Sequence, residues 1–355
     1  MSRFLKSEYF GLEEYTPGEQ PRDRKYVKLN TNESPYPPSE AAIALAEEEL
    51  SRLNLYPDPT CTALKAAIAE DLEVLPENVF LGNGSDEILS FSFMAFFAGL
   101  PIMYPDISYG FYRVYADLYG CVKNEVPLKD DFSINACDYI CKNENIVIAN
   151  PNAPTGLLIT FGDIEKIVRT NPDNIVLIDE AYIDFGGESA VHLIKKYDNL
   201  IVSRTFSKSR SLAGARLGYG IASKEIIKDL EKIKYSINPY NISRTAQALG
   251  LGAVQDGQYF EDCCVKIIKN REYTVQKLKK LGFTLTDSKA NFVFAKHAGI
   301  SGRELYEILK GEGVLVRHFN NPKIADYNRI TIGTKEETDI LVSKTEKILS
   351  QRGAL

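Results

Sequence analysis

The sequence predicts an α/β protein whose larger part is a mostly parallel sheet flanked by helices. Three observations support this prediction. Short and almost fully apolar runs, typical of strands buried on both faces, alternate with helical segments between residues 79 and 222. Each of these runs ends in a polar stretch that contains turn-forming or small residues. With 355 residues, the chain is also long enough to form a second, smaller domain.

The regions on either side of this alternating stretch differ from it. Residues 1–38 are rich in proline and glycine turns and are predicted to form an N-terminal arm. Residues 39–250 are predicted to form the large domain, which begins with a helix that Ser39 caps. In residues 251–355, strand-like runs stand among helices, which predicts a small C-terminal α+β domain.

Composition excludes several classes of function. A net charge of −6 and the lack of a basic tract argue against nucleic acid as a partner. No run approaches the roughly 18–20 apolar residues of a membrane span, and the N-terminus lacks the apolar core of a signal peptide. Six cysteines and three histidines do not stand at metal-ligand spacing, so no metal is expected. We therefore expect a cytoplasmic protein with reduced cysteines.

The first strand of the large domain, at residues 79–81, runs into Gly82-Asn83-Gly84-Ser85-Asp86 and then into a helix. Glycines between a strand and a helix let backbone N–H groups approach an anion at the helix N-terminus. An ordinary helix with Ser85 as its N-cap explains the same residues. The stretch alone does not decide between these two interpretations.

Three further apolar runs, at residues 102–104, 145–149 and 174–178, also end in polar stretches. Open α/β sheets bind ligands beyond the carboxyl ends of their strands. We therefore expect the polar stretches that follow these strands to meet at one shared site.

The next apolar run, at residues 200–202, leads to a single lysine, Lys208, which lies among hydroxyl-bearing residues and is followed by Arg216. A lysine held out of solvent at the end of a buried strand can form a Schiff base with an aldehyde cofactor. The hydroxyl groups and the arginine would then hold an anion beside it, most simply a cofactor phosphate. Taken alone, the stretch is explained equally well as a surface loop.

A carboxylate, Asp179, ends the apolar run at residues 174–178. Burying it there is costly unless a cation or a hydrogen-bond donor meets it. The protonated nitrogen of a pyridine ring is such a partner, and Tyr182 stands close enough in sequence to reach a phenolate oxygen on the same ring. A helix cap or a salt bridge is the alternative role for Asp179.

Taken in order, the motifs resemble those of the fold-type I pyridoxal-phosphate-dependent aminotransferases, which are aspartate aminotransferase-like, over essentially the whole chain. Each motif alone is a weak signal, but the ordered set is specific for that fold and cofactor. The stretches that carry the resemblance are Tyr15-Thr16-Pro17-Gly18, Leu29-Asn30-Thr31-Asn32-Glu33-Ser34-Pro35, Leu55-Tyr56-Pro57-Asp58, Gly82-Asn83-Gly84-Ser85-Asp86-Glu87, Ser108-Tyr109-Gly110, Pro151-Asn152-Ala153-Pro154-Thr155-Gly156, Asp179-Glu180-Ala181-Tyr182, Lys208 to Arg216, Gly313-Val314-Leu315-Val316-Arg317 and Arg329-Ile330-Thr331-Ile332-Gly333-Thr334.

The resemblance implies pyridoxal 5'-phosphate as cofactor and assigns four residues to its ring and aldehyde. Lys208 is expected to form the Schiff base and to shuttle the proton. Asp179 is expected to pair with the pyridine nitrogen and Tyr182 with the phenolate oxygen, while Tyr109 stacks on the ring.

The resemblance also implies how the cofactor phosphate is bound and how the chain assembles. The expected phosphate ligands within one chain are backbone and side-chain groups of Ser85, Asp86, Thr205, Ser207 and Arg216. A sixth ligand, Tyr56, is expected to come from the other subunit, which makes the homodimer necessary for activity.

For the substrate, the resemblance implies that Arg317 and Arg329 bind its anionic group, because a planar guanidinium matches both phosphate and carboxylate. The implied reaction is ping-pong amine transfer between histidinol phosphate and 2-oxoglutarate. The chain departs from the wider family at Ala153, where many members have an asparagine that bonds the phenolate oxygen. Either Asn152 or Tyr182 alone is expected to replace that contact.

Three other functions are compatible with parts of this pattern. A threonine-phosphate decarboxylase and an aromatic amino acid aminotransferase use the same scaffold, and product analysis separates them from the implied reaction. A non-catalytic regulator would join this scaffold to a DNA-binding module, for which residues 1–38 are too short and too rich in proline and glycine.

Overall fold

The computed structural model describes residues 2–354. The helices in this range are α1 (Glu40–Leu50), α2 (Thr62–Asp71), α3 (Ser85–Ser92), α4 (Phe111–Leu118), α5 (Phe161–Thr170), α6 (Lys224–Ile237), α7 (Arg244–Gln255), α8 (Gly257–Lys280), α9 (Gly302–Gly311) and α10 (Lys335–Gln351). The strands are β1 (Val27–Lys28), β2 (Val79–Gly82), β3 (Pro101–Pro105), β4 (Val122–Val126), β5 (Asn145–Ala149), β6 (Val176–Asp179), β7 (Leu200–Thr205), β8 (Gly218–Ala222), β9 (Thr284–Leu285), β10 (Phe292–Lys296), β11 (Val314–Leu315), β12 (Arg317–His318) and β13 (Asn328–Thr331).

The largest sheet has seven strands in the order β2-β8-β7-β6-β5-β3-β4. All of them run in one direction except β8, which is antiparallel to both of its neighbours. The prediction of a mostly parallel sheet is therefore confirmed. Because the strands share a direction, the segments that follow β3, β5, β6 and β7 emerge at the same edge of the sheet.

Alternation along the central strands explains why helices cover both faces. In β5, Ile146 and Ile148 belong to one buried cluster and Val147 belongs to another. Helices α2, α5 and α7 contribute to the first cluster, whereas α3, α4 and α6 contribute to the second. A strand buried on both faces has no polar side to show, which accounts for the continuous apolar runs in the sequence.

A third buried cluster lies beneath the small antiparallel sheet, whose order is β12-β13-β10-β9. Helices α8, α9 and α10 contribute to it, and so does Leu29 from the N-terminal part of the chain. Next to Leu29, β1 pairs in parallel with β11. The N-terminal segment is thus attached to the C-terminal part of the chain, and the domain boundaries at residues 38 and 250 stay a prediction.

Two local details differ from the sequence analysis. Strand β4 was not predicted, because its sequence Val-Lys-Asn-Glu-Val is polar and its residues are largely exposed at the edge of the sheet. Ser85 is the first helical residue of α3, and the cap position belongs to Gly84. Between residues 2 and 354, we find no helix with the length and apolar character that crossing a bilayer requires.

Candidate active site

A cavity of about 500 Å³ lies at the carboxyl edge of the large sheet and brings most of the predicted site residues together. It is closed on one side by the segment after β1 and by residues of the small sheet. The predicted residues that line it are Ser85, Asp86, Tyr109, Asp179, Tyr182, Thr205, Ser207, Lys208, Arg216, Arg317 and Arg329. Asn152 and Tyr56, which were also predicted, lie outside its lining.

Lys208 follows β7 and directs its amine into the cavity wall. Its Nζ donates to the carbonyl oxygen of Thr31 at 3.3 Å and lies 5.8 Å from the ring centre of Tyr182. Burial lowers the pKa of Lys208 from 10.5 to about 8, because a charged ammonium loses its hydration there, and the nearby Arg329 lowers the pKa further. About a tenth of Lys208 is therefore uncharged at pH 7, far more than of a solvated lysine, and this uncharged form is the one that a nucleophile or a base requires.

Asp179 is the last residue of β6 and is 4% exposed. Its Oδ2 accepts a hydrogen bond from the hydroxyl of Tyr112 at 2.8 Å, while Oδ1 has no partner within residues 2–354. Burial raises the pKa of Asp179 to about 6, and the bond from Tyr112 opposes that rise. An unpartnered oxygen on a buried carboxyl group calls for a donor, and a protonated ring nitrogen meets that need.

The N-terminus of α3 forms an anion cradle with the start of β8. Backbone passes so close here that a Cβ on Gly218 would lie 2.3 Å from the backbone nitrogen of Ser85. A Cβ on Gly84, whose φ is +83°, would lie 2.6 Å from the guanidinium of Arg216. Only glycine fits either place, so the two glycines let Arg216 lie close to the N-terminus of α3, an arrangement suited to an anion.

Asp86, in the first turn of α3, connects two other predicted residues. Its Oδ2 accepts from Arg216 at 2.8 Å, and its Oδ1 accepts from the hydroxyl of Tyr109 at 2.9 Å. Burial raises the pKa of Tyr109 well above its usual value, and the Asp86 carboxylate adds to the rise, so the hydroxyl remains a donor. The Tyr109 ring also packs edge-on against Tyr112.

Arg317 and Arg329 stand directly opposite each other on the paired strands β12 and β13. Like charges in this position repel each other. Arg317 donates to the carbonyl oxygens of Thr16 and Pro17, and Arg329 donates to that of Asn30. Within residues 2–354, the hydrogen bonds of both guanidinium groups go to these backbone carbonyl oxygens and not to carboxylates, and Arg329 Nε is buried without any partner. The pair is therefore suited to an anion that enters the cavity.

Asn152 is fully buried and its amide is committed to the protein. Its Nδ2 donates to Ile107 O at 2.9 Å and to Thr155 Oγ1 at 3.1 Å, while its Oδ1 accepts from Ser108. Both of its N–H donors are therefore used within the protein, at Ile107 and in the loop around Thr155. Ala153 does line the cavity, and Tyr182 is left as the candidate for the phenolate contact.

Tyr56 lies on the surface, 77% exposed, in the segment after α1. Its ring stacks on Tyr240 at 4.5 Å, and Arg244 donates to its carbonyl oxygen at 2.9 Å. These contacts hold the residue in a defined place outside its own chain's cavity.

Several lining residues were given no role from the sequence, although most belong to stretches that were singled out. Tyr15 and the run Thr31-Asn32-Glu33 line the cavity. The run follows β1 directly, and pairing between β1 and β11 brings it to the small sheet. Tyr112 does not line the cavity but bonds to Asp179, which does. The sequence did not single it out, because a tyrosine on the apolar face of a helix is usually a core residue.

The polar groups in this cavity fit a molecule with an aldehyde, a basic ring nitrogen and a phosphate. Lys208 suits the first, the unpartnered Oδ1 of Asp179 the second, and the cradle at α3 with Arg216 the third. Arg317 and Arg329 remain for a separate anion.

Comparison with known proteins agrees with this geometry. Residues 24–344 match the family described as aminotransferase class I and II. The chain is 53% identical over 352 residues to the histidinol-phosphate aminotransferase of Brachyspira hyodysenteriae, covering 98% of this chain and 99% of that protein.

Solved structures show the same fold. The histidinol-phosphate aminotransferase of Clostridium acetobutylicum superposes with a TM-score of 0.85 at 27% identity, covering 91% of this chain and 99% of the other. The enzyme of the same name from Sinorhizobium meliloti, solved with pyridoxal-5'-phosphate, gives a TM-score of 0.86 at 23% identity and covers 92% of each chain.

Proposed function

From its membership of the aminotransferase class I and II family, to which the chain belongs, we propose that this protein transfers an amino group between histidinol phosphate and 2-oxoglutarate. The cofactor is pyridoxal 5'-phosphate. The observation that carries the proposal is the facing pair Arg317 and Arg329, two guanidinium groups without a carboxylate partner in the cavity that also holds Lys208.

The residues that face the cofactor then have distinct roles. Lys208 holds the cofactor's aldehyde carbon and, once its amine is free, moves the proton of the substrate's α-carbon. Asp179 keeps a proton on the ring nitrogen, and Tyr182 donates to the phenolate oxygen without help from Asn152. When bound, the cofactor supplies an aldehyde that takes up the amino group and a ring that accepts electrons from the α-carbon.

Two separate groups of residues bind the anions of the cofactor and of the substrate. The N-terminus of α3, with Thr205, Ser207 and Arg216, holds the cofactor phosphate. Arg317 and Arg329 hold the phosphate of histidinol phosphate in one half-reaction and a carboxylate of glutamate in the other. A single pair of arginines serves both because phosphate and carboxylate accept the same planar fork.

We also propose a homodimer in which Tyr56 reaches the cofactor phosphate of the partner subunit. The exposure of Tyr56 supports this, as does that of Leu53 and Leu55, each 57% exposed beside it. A cytoplasmic location is consistent with the six cysteines, which are free in the part of the chain that the structure describes.

The test is to supply the purified protein with histidinol phosphate and 2-oxoglutarate and to measure glutamate. Glutamate formation that fails with unphosphorylated histidinol supports the proposal. Faster transfer from phenylalanine would favour an aromatic aminotransferase, and carbon dioxide release from threonine phosphate would favour a decarboxylase. Borohydride reduction should fix the cofactor to Lys208, and a reduced adduct on any other lysine contradicts the assigned role.

A further inference from the structure

Asn32 joins the small sheet to the cavity through its side-chain amide. It is 1% exposed, and its φ of 56° lies in the left-handed region, where asparagine is tolerated better than most residues. Its Nδ2 donates to the hydroxyl oxygen of Tyr182 at 3.0 Å. Its Oδ1 accepts from the hydroxyl of Thr331 at 3.0 Å, and Thr331 in turn accepts from the backbone N–H of Asn32 at 2.9 Å.

These bonds determine the direction in which Tyr182 donates. Thr331 donates its hydroxyl proton to Oδ1, and the amide presents its NH₂ to Tyr182. A tyrosine hydroxyl that accepts from this NH₂ still has its own proton to give. Within residues 2–354 that proton meets no acceptor, and Tyr182 lines the cavity.

We propose that Asn32 is a positioning residue for the reaction and that, with Thr331, it fixes the Tyr182 hydroxyl so that its proton points to the phenolate oxygen of the cofactor. The inference rests on the proposed function. Strand β13 then has two roles. Arg329 binds the substrate, and Thr331, two residues further along on the same face, helps to set the hydrogen bonding of the cofactor.

The readout is the pKa of the nitrogen that joins Lys208 to the cofactor, measured from the visible absorbance of the holoprotein as a function of pH. A donor on the phenolate oxygen stabilises that oxygen most when the neighbouring nitrogen has lost its proton. Losing the donor therefore raises this pKa. A role limited to holding the chain together would change thermal stability and leave this pKa where it is in wild type.

Asn32→Gly removes the amide at a position where glycine accepts the backbone conformation. We expect it to raise the pKa by about one unit, in line with the loss of a hydrogen bond to a charged oxygen. Asn32→Asp should raise it at least as far, because the carboxylate takes the Tyr182 proton for itself. Thr331→Val should give a shift in the same direction, whereas Thr331→Ser, which keeps the hydroxyl, should resemble wild type.

A Tyr182→Phe background tests whether the Asn32 substitution acts through the Tyr182 hydroxyl, which we call the relay, or through a general electrostatic effect on the cofactor. If Asn32 acts through Tyr182, then Asn32→Gly adds no further shift in that background. A pKa equal to that of wild type in both Asn32→Gly and Thr331→Val would overturn the relay. A full additional shift in the Tyr182→Phe background would overturn it as well. Either result is compatible with continued amine transfer by wild type. Failure of wild type to take up pyridoxal phosphate would instead overturn the proposed function, and the relay with it.

Discussion

The hydroxyl of Tyr112 lies 2.8 Å from Oδ2 of Asp179, and both side chains are buried, Asp179 in the wall of the cavity and Tyr112 behind it. This bond occupies one carboxylate oxygen, and the other has no partner within residues 2–354. It also counters part of the cost of burying the charge, so Asp179 is better able to remain ionised beside a protonated ring.

Asp179→Asn should retain the cofactor and lose about a hundred- to a thousand-fold in kcat, because a neutral amide cannot keep the ring nitrogen protonated. Single-turnover rates with each amino donor would measure the loss. Glu180→Gln is the matched control, since Glu180 is an adjacent buried carboxyl group that bonds to Ser189 and to the Ala190 N–H. Wild-type kcat in Asp179→Asn would exclude the assigned role.

Capture of the cofactor by the apoprotein should depend on pH through Lys208. Only the neutral amine attacks an aldehyde, and burial lowers the pKa of Lys208 to about 8. The neutral fraction therefore grows as pH rises towards about 8 and levels off above it. Stopped-flow absorbance would follow the rate, with a free lysine derivative measured in parallel to remove the cofactor's own titration. A rate that keeps rising towards pH 10.5 would show an ordinary, solvated lysine.

Replacing either facing arginine should weaken binding of the substrate and leave binding of the cofactor unchanged. Arg317→Ala and Arg329→Ala each remove charge-assisted hydrogen bonds worth about 1.5–3 kcal/mol, or roughly ten- to a hundred-fold in affinity. Both variants should impair both half-reactions, and the loss with glutamate should be larger in Arg329→Ala, because Arg329 is the more general anchor. Exposed Arg303, which bonds Asn320, supplies the control variant Arg303→Ala. Equal use of phosphorylated and unphosphorylated histidinol by wild type would be incompatible with this assignment.

Two inactive variants should restore activity when their subunits are mixed. Tyr56→Ala damages the partner's site and Lys208→Ala damages its own, so a mixed dimer contains one intact site. Random exchange of equal amounts makes half of the dimers mixed, which gives about a quarter of wild-type activity. Exchange by mild denaturation and refolding, followed by the transfer assay, measures this. Activity that stays at the level of the separate variants would mean that Tyr56 acts within its own chain.

The sequence was informative about the large sheet because its central strands are buried on both faces and therefore read as apolar runs. It was uninformative about β4, whose alternation is lost at an exposed edge. The same reasoning singled out Asp179, the last residue of β6, and Lys208, which lies three residues after the end of β7. It could not find the bond between Tyr112 and Asp179, because the two residues are 67 positions apart and no local pattern links them.

Asn152 illustrates a second limit. From the sequence, Asn152 was a reasonable substitute for the asparagine that the wider family has at position 153. The direction of its side chain, however, depends on the hydrogen bonds within the loop. Those bonds turn its amide into the loop and leave Ala153 on the cavity wall.

The attachment of the N-terminal segment to the C-terminal strands has a consequence for how the protein is made. Asn32 and Thr331 are 299 residues apart, and β1 pairs with β11. At about 5–20 residues per second, a ribosome needs roughly 15–60 s to travel from one to the other. Lys208 and the anion cradle at α3 are synthesised well before that point. A nascent chain therefore carries the groups for its cofactor early, while the wall that contains Thr31 and Asn32 waits for the last strands to emerge.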